Sequence, residues 1–160
     1  ISALQRRIQG AQQLAALTGA CVLAKGNRTV VVDAKAQVYL LPAATPWLAT
    51  AGSGDVLAGL MGGLLALNVR AGAGHVGATV ASAAALAPEI AQLAARLHAL
   101  AGQLAAEATS PKPTEALTPK TTDATGPKSA SAVVDHPITA PEIAAAIPKA
   151  WALYSSAAAN

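Results

Sequence analysis

Phenylalanine is absent from the 160-residue chain, and aromatic side chains make up only 2% of it, although 53% of its residues are hydrophobic. Ala and Leu must therefore fill the interior, which suits closely packed helices better than an aromatic-rich β-sandwich. Cysteine occurs once, at Cys21, inside an apolar strand-like run, so a disulfide framework within the chain and a multi-cysteine metal site are both excluded. A single cysteine in such a run reads as a small buried hydrophobe rather than a nucleophile, and a reducing, cytoplasmic setting fits. Charge is sparse as well: charged residues are 12% of the chain and the net charge is +3, with Lys and Arg scattered rather than striped. With so few aromatics to stack on bases, no nucleic-acid partner is expected.

Long apolar runs of membrane type are also missing. Residues 36–54 carry no Asp, Glu, Lys or Arg but are interrupted by Pro42 and Pro46. Residues 71–88 are mostly Ala and Gly with His75 among them, so no membrane span is expected. Ile1 is followed by polar and charged residues through Arg7, which is not a signal peptide. The chain starts without Met in the middle of a helical pattern, and a fragment or processed product is expected. His75, His98 and His136 stand far apart with no second ligand at metal spacing, so no metal site is expected from them.

The periodicity that is present gives an order of elements. Residues 2–18 read as an amphipathic helix with Leu4, Ile8, Leu14 and Leu17 near helical spacing and Gly19 as its stop. Residues 20–25, 29–34 and 37–42 read as short strands, and the brief Asp33–Gln37 link predicts an antiparallel hairpin for the last two. A loop over 45–53 leads to a helix from Gly54 to about Leu67, in which Gly59, Gly62 and Gly63 allow very close packing. Residues 74–87 predict an Ala-rich helix, and Pro88 suits the first position of another, with Ile90, Leu93, Leu97, Leu100 and Leu104 as a core stripe. Composition shifts over 108–137 to Thr, Ser, Pro and Lys, the pattern of a flexible low-complexity insertion. Residues 139–154 then read as a helix broken by Pro148, with Thr139 as N-cap and Glu142 three residues on. The sum is part of an α/β layered domain.

Two stretches carry chemistry. In "LATAGSGDVLAGLM" (48–61), Gly52 and Gly54 leave the backbone bare at a helix start, where unpaired N–H groups and the helix dipole attract anions. Asp55 follows in the first turn, a carboxylate placed to take a proton from a substrate hydroxyl beside a bound phosphate. The pattern is neither a dinucleotide fingerprint, since Leu57 stands three after Gly54, nor a P-loop, since no lysine follows Gly59. On pattern alone, an ordinary acidic helix start with Ser53 as cap is the favoured reading. "KGNRT" (25–29) is either a solvated turn between strands or a nucleotide-holding one. No G-x-S-x-G elbow is present.

Taken in order, the segments from Ala20 to Leu67 resemble the ADP/ATP-dependent NAD(P)H-hydrate dehydratases of the ribokinase-like superfamily. The family's strand–turn–strand around "KG..T" is followed by "LATAGSGDVLaG", matched here almost letter for letter from Leu48 to Gly59. "RLHALAGQLAA" (96–106) is similar to its "LHGLAGDlAA", and "ITAPEIAAAIPKAW" (138–151) to its closing segment. Ala99 and Gln103 depart from the family's Gly and Asp, which leaves packing as the expected role of that helix. Ala24 replaces the usual Leu, and the glycine-rich opening, "DADaLn" and "HPGE" segments of the family have no counterpart here.

The resemblance implies a ribokinase-like three-layer α/β/α sandwich, here only its C-terminal part, as one partial domain over 1–160. It implies repair of hydrated NADH or NADPH, the nucleotide phosphorylating the ring hydroxyl before phosphate leaves. Asp55 is then the base and touches the hydrate. Ala51, Gly52, Ser53 and Gly54 form the anion hole. Lys25, Gly26, Asn27, Arg28 and Thr29 line the nucleotide site, with Gly54 beside the phosphate. ADP or ATP is the implied co-substrate with Mg²⁺, and a homo-oligomer, often a tetramer, and a fused or partner epimerase are implied as partners. Two alternatives stand: another ribokinase-like kinase acting on a hydroxymethyl-pyrimidine, thiazole or sugar, and a non-catalytic nucleotide-binding half-domain.

Overall fold

In the computed structural model, residues 1–72, 80–109 and 137–158 are described. Ser2 opens the first helix, α1 (Ala3–Thr18), through a reciprocal cap: its hydroxyl accepts from the Gln5 N–H at 3.2 Å, and its own N–H donates to Gln5 Oε1 at 2.7 Å. Gly19, at φ 66°, closes the helix by donating to the Ala15 carbonyl at 2.8 Å. Both ends fall where the sequence puts them, but the buried face does not. Leu4, Ile8, Ala11 and Ala15 face the sheet, while Leu14 and Leu17 are 49% and 85% exposed. The two alanines recur at helical spacing with Leu4 and Ile8; the two leucines lie about a quarter-turn or more off that line.

Three strands follow, β1 (Val22–Ala24), β2 (Arg28–Val32) and β3 (Val38–Ala43), all antiparallel in the order β1-β2-β3. The predicted hairpin is present. Asp33 Oδ1 accepts from the Lys35 and Gln37 N–H groups at 2.8 and 2.9 Å, and Ala36 takes a left-handed φ of 62°. Val30 and Val32 pack on α1, and Val31 is buried between them in the sequence on the opposite face, so the Val30–Val32 half of the central strand is apolar on both faces. The pairing shifts register between Arg28 and Val30, setting Leu41 and Pro42 across from the single residue Thr29. A proline fits such a bulge on an edge strand because no ladder N–H is required of it.

The other layer is helical: α2 (Ser53–Gly72), α3 (Val80–Thr109) and α4 (Ala140–Ala158). α3 is central, packing on the sheet, on α2 and on α4. Leu41, Leu57, Leu64, Ile90, Ala94 and Leu97 form one core cluster; Leu48, Ala101, Ala105, Ile138 and Ile143 form another. Helix, sheet and helices thus make the three layers of an α/β/α arrangement.

Three expectations are corrected. Pro88 does not start a helix but lies within α3, and Pro148 does not break α4. Each removes one helical hydrogen bond, but the carbonyl released belongs to an exposed residue, Ala84 or Ala144, and buried contacts flank each proline (Leu86 and Ile90; Ile147 and Ala150). Gly59, Gly62 and Gly63 support no close contact, since a Cβ at each would meet nothing within 4 Å. The part of the expected 74–87 helix before residue 80, and the insertion over 108–137 apart from its ends, lie outside the described residues. At α4, Thr139 donates from its N–H and hydroxyl to Glu142 Oε2 at 2.7 and 2.8 Å, the expected helix start. That pairing, with the Thr139 N–H first in effect, holds the Glu142 carboxyl below its ordinary value.

Candidate functional site

The loop between β3 and α2 is built residue by residue. Thr45 caps a single 3-10 turn, Pro46–Leu48, and Leu48 is buried against α3. Its partner there is Gly102, where a Cβ would come within 2.8 Å of Leu48 Cγ. At the other end Gly52 combines a φ of 79° with a tight approach, since a Cβ would lie 2.9 Å from the Ala140 Cβ. Glycine meets both demands. The Gly52 carbonyl accepts from Val56 N–H at 3.1 Å, beginning α2, and the Ser53 N–H is directed back to the Thr50 carbonyl at 3.3 Å.

Ser53 is fully buried and His98, on α3, is 3% exposed. The His98 Nε2 stands 2.9 Å from the Ser53 carbonyl oxygen and 3.3 Å from its hydroxyl. A carbonyl only accepts, so the Nε2 carries the hydrogen. Burial pushes the His98 pKa below its ordinary value; the bond to Ser53 works against this, and the nearby Lys25 charge adds to it. In front of this pair, Gly54 and Asp55 are exposed, with open space around the Gly54 Cα. Their N–H groups belong to the set that a helix start leaves without intrahelical partners.

The turn "KGNRT" lies behind the loop. The Asn27 carbonyl accepts from Ala44 N–H at 2.9 Å and its side-chain amide donates to the Ala44 carbonyl at 3.2 Å, which ties the turn to the end of β3. Lys25 Nζ donates to the Leu48 carbonyl at 3.0 Å, and partial burial lowers its pKa. Arg7 of α1 lies over Gly26, filling the space a Cβ would take, and donates to the Arg28 carbonyl at 3.2 Å. A cavity of about 170 Å³ opens between this turn, the Leu41–Ala44 end of β3 and the Ala95–Ala99 turn of α3. Its walls are mainly apolar, with Lys25, Thr29, Arg96 and His98 as polar groups. A second cleft of about 230 Å³ lies on the other side, shared by Lys25, Gly26, Asn27 and the Thr45–Ala49 loop.

Of the sequence-predicted residues, Lys25, Gly26 and Thr29 line the first cavity, and Asn27 lines the second. The Arg28 side chain is exposed and lines neither. Ala51 is exposed before the start of α2, and Gly54 and Asp55 lie in its first turn beyond the walls of both clefts. Cys21 is half-buried, and burial, then the Asp33 charge, raises its thiol pKa, which disfavours a thiolate nucleophile. Among the described residues no group of three His, Cys, Asp or Glu side chains converges as a metal cage, and no helix is long and apolar enough to cross a membrane.

The α3 residues were missed by sequence reasoning. Gln103 does turn outward, to Glu107 Oε1 at 3.1 Å, and Ala99 lines the cavity. His98 and Gly102, however, do more than fill a core. The signal available was a histidine and a glycine four apart on one apolar helix face, without the partners that give them meaning.

The family described as NAD(P)H-hydrate dehydratase (Carb_kinase) matches residues 1–119. Over 66 residues the chain is 53% identical to the bifunctional NAD(P)H-hydrate repair enzyme Nnr of Mycobacterium tuberculosis H37Rv, a match covering 41% of this chain and 14% of that protein. Over 104 residues it is 40% identical to the ADP-dependent (S)-NAD(P)H-hydrate dehydratase of Neisseria meningitidis, covering 64% of this chain and 34% of the relative. These matches therefore span 14% and 34% of the two relatives' lengths. The solved structure of Bacillus subtilis YxkO, a member of the UPF0031 family, superposes with a TM-score of 0.60 at 22% identity, over 94% of this chain and 41% of that one. That likeness establishes a shared α/β fold.

Proposed function

The chain belongs to the NAD(P)H-hydrate dehydratase family, and from that premise we propose that it serves the nucleotide-dependent dehydration of the S-epimer of hydrated NADH and NADPH. The observation that carries the reading is the start of α2: bare backbone at Gly54, an exposed Asp55 in the first turn, and the Lys25–Thr29 turn tied to the same loop. Asp55 takes the proton of the ring hydroxyl as its oxygen attacks the terminal phosphorus of ADP or ATP, and the bond to the leaving nucleotide breaks. Departure of phosphate with loss of a neighbouring ring proton restores the double bond. The charge on the transferring group meets backbone N–H groups at the Ala51–Gly54 loop. Because the Ser53 N–H is directed at Thr50, the Gly54 and Asp55 N–H groups are the better placed donors.

Lys25, Gly26, Asn27 and Thr29 hold the nucleotide, its base entering the apolar cavity beside Ala95 and Ala99. Mg²⁺ carried on the nucleotide phosphates would supply charge neutralisation, with no side chain of this chain assigned to hold it. A homo-oligomer, and an epimerase activity acting on the R-epimer alongside, complete the reading.

Recovery of NADH absorbance from its hydrate, with ADP or ATP and Mg²⁺, tests it on this chain and on an upstream-extended form. Nucleotide-dependent recovery in either form supports the proposal. Nucleotide binding without recovery in both would point to another small-molecule kinase, or to a nucleotide-binding module.

A further inference from the structure

We propose that His98 is a positioning residue for phosphoryl transfer: through the Ser53 carbonyl it sets the direction and donor strength of the Gly54 N–H. The inference rests on the reading of the α2 start as the phosphoryl cradle. The carbonyl of Ser53 and the N–H of Gly54 are two ends of one planar trans peptide and point in opposite directions. A donor fixed on that carbonyl at 2.9 Å therefore aims the N–H on the other side. It also polarises the peptide, since hydrogen bonds in series through one amide strengthen each other where water is excluded. Both members of the contact are buried, so water does not compete for it.

The helix start has a further property that makes such a tether necessary. A Ser, Thr, Asp or Asn cap would secure α2 by accepting from the second or third N–H, which here belong to Gly54 and Asp55. Gly52 stands at the cap with no side chain, so those donors are left for a ligand. The helix is held instead from behind, by a carbonyl. Satisfaction alone does not call for this bond, because the Ser53 carbonyl also stands where the helical ladder supplies a donor from Leu57.

The test compares the full chain with His98→Phe, which keeps the bulk and loses the donor, and His98→Gln, whose amide nitrogen reaches about as far as Nε2. The first measurement is the Gly54 amide resonance without ligand. It is expected to move to higher field in His98→Phe and to return toward the parent position in His98→Gln, with the fold confirmed by the α4 resonances. The second is NADH recovery from the hydrate with ADP and Mg²⁺, on whichever form is active. His98→Phe is expected to lose about 10- to 100-fold in kcat with KM for the hydrate within about two-fold, and His98→Gln to recover most of it. An unshifted Gly54 amide in a folded His98→Phe overturns the proposal, as does an unchanged kcat. Should His98→Phe fail to fold, His98→Gln and His98→Asn carry the comparison, because the asparagine amide is too short to reach and must show the Phe-like shift. Absence of NADH recovery by the parent itself, with the amide shifts as expected, would sink the proposed reaction and leave the His98 tether standing.

Discussion

His98 and Gly102 stand one turn apart on α3 and take hold of opposite ends of the same loop, His98 at Ser53 and Gly102 at Leu48. Lys25 closes the arrangement from the sheet side by donating to the Leu48 carbonyl. One helix face thus holds both ends of the Leu48–Ser53 loop, and Lys25 ties the 25–29 turn to the same loop.

Gly102→Ala tests that grip. Alanine favours a helix interior over glycine by about 1 kcal/mol, but here its methyl meets the buried Leu48 side chain, and overpacking of this kind costs about 1–3 kcal/mol. The net expectation is destabilisation, read as a lower midpoint in urea. Gly62→Ala, where a Cβ meets open space, is expected to stabilise by about 0.5–1 kcal/mol. If both variants shift the same way, Leu48 does not occupy Gly102 as described.

Asp55→Asn separates the two readings of the α2 start. A proton acceptor at this position predicts loss of essentially all NADH recovery with nucleotide affinity within a few-fold of the parent, because the cradle is backbone. A variant that keeps most of its turnover would make Asp55 an acidic helix-start residue and nothing more.

What was legible in the sequence was local. The Ser2 cap, the Gly19 stop, the Asp33–Gln37 hairpin and the Thr139–Glu142 helix start are each settled within a few residues, so propensity and turn chemistry locate them. Rotation of α1 was not legible, because hydrophobicity weighs Leu14 above Ala15, while the face that meets Val30 and Val32 carries Ala11 and Ala15 in line with Leu4 and Ile8. The prolines of α3 and α4 misled for a related reason: their local penalty is outweighed by packing on both sides. At the site, "LATAGSGDVLAG" and "KGNRT" announce themselves through glycines and charge. His98 does not, since its partner lies 45 residues earlier and only the fold joins them.

Ala36 sits at φ 62° in the hairpin turn, a conformation that costs an L-residue with a Cβ roughly 1–2 kcal/mol. Glycine adopts it freely but adds entropy to the unfolded chain, which takes back part of the gain. Ala36→Gly is expected to stabilise by about 0.5–1 kcal/mol without touching activity, since the turn lines neither cleft of the site. A lower unfolding midpoint in this variant would mean that the turn is not left-handed at residue 36.

The His98 tether also predicts a pH dependence of stability. Burial first, and Lys25 in addition, keep the folded-state pKa of His98 below the ordinary histidine value near 6.5. Between the two values the unfolded chain binds a proton at this position that the folded chain refuses, so stability rises with pH there. The contribution is fully present above the unfolded value and is lost as pH falls through the folded one. Denaturant midpoints measured from pH 8 down to pH 5 are therefore expected to fall more steeply for the parent than for His98→Gln, whose amide does not titrate. Parallel curves would show that His98 accepts its proton in the folded chain as easily as in water, which a side chain 3% exposed and bound to a carbonyl beside a lysine does not do.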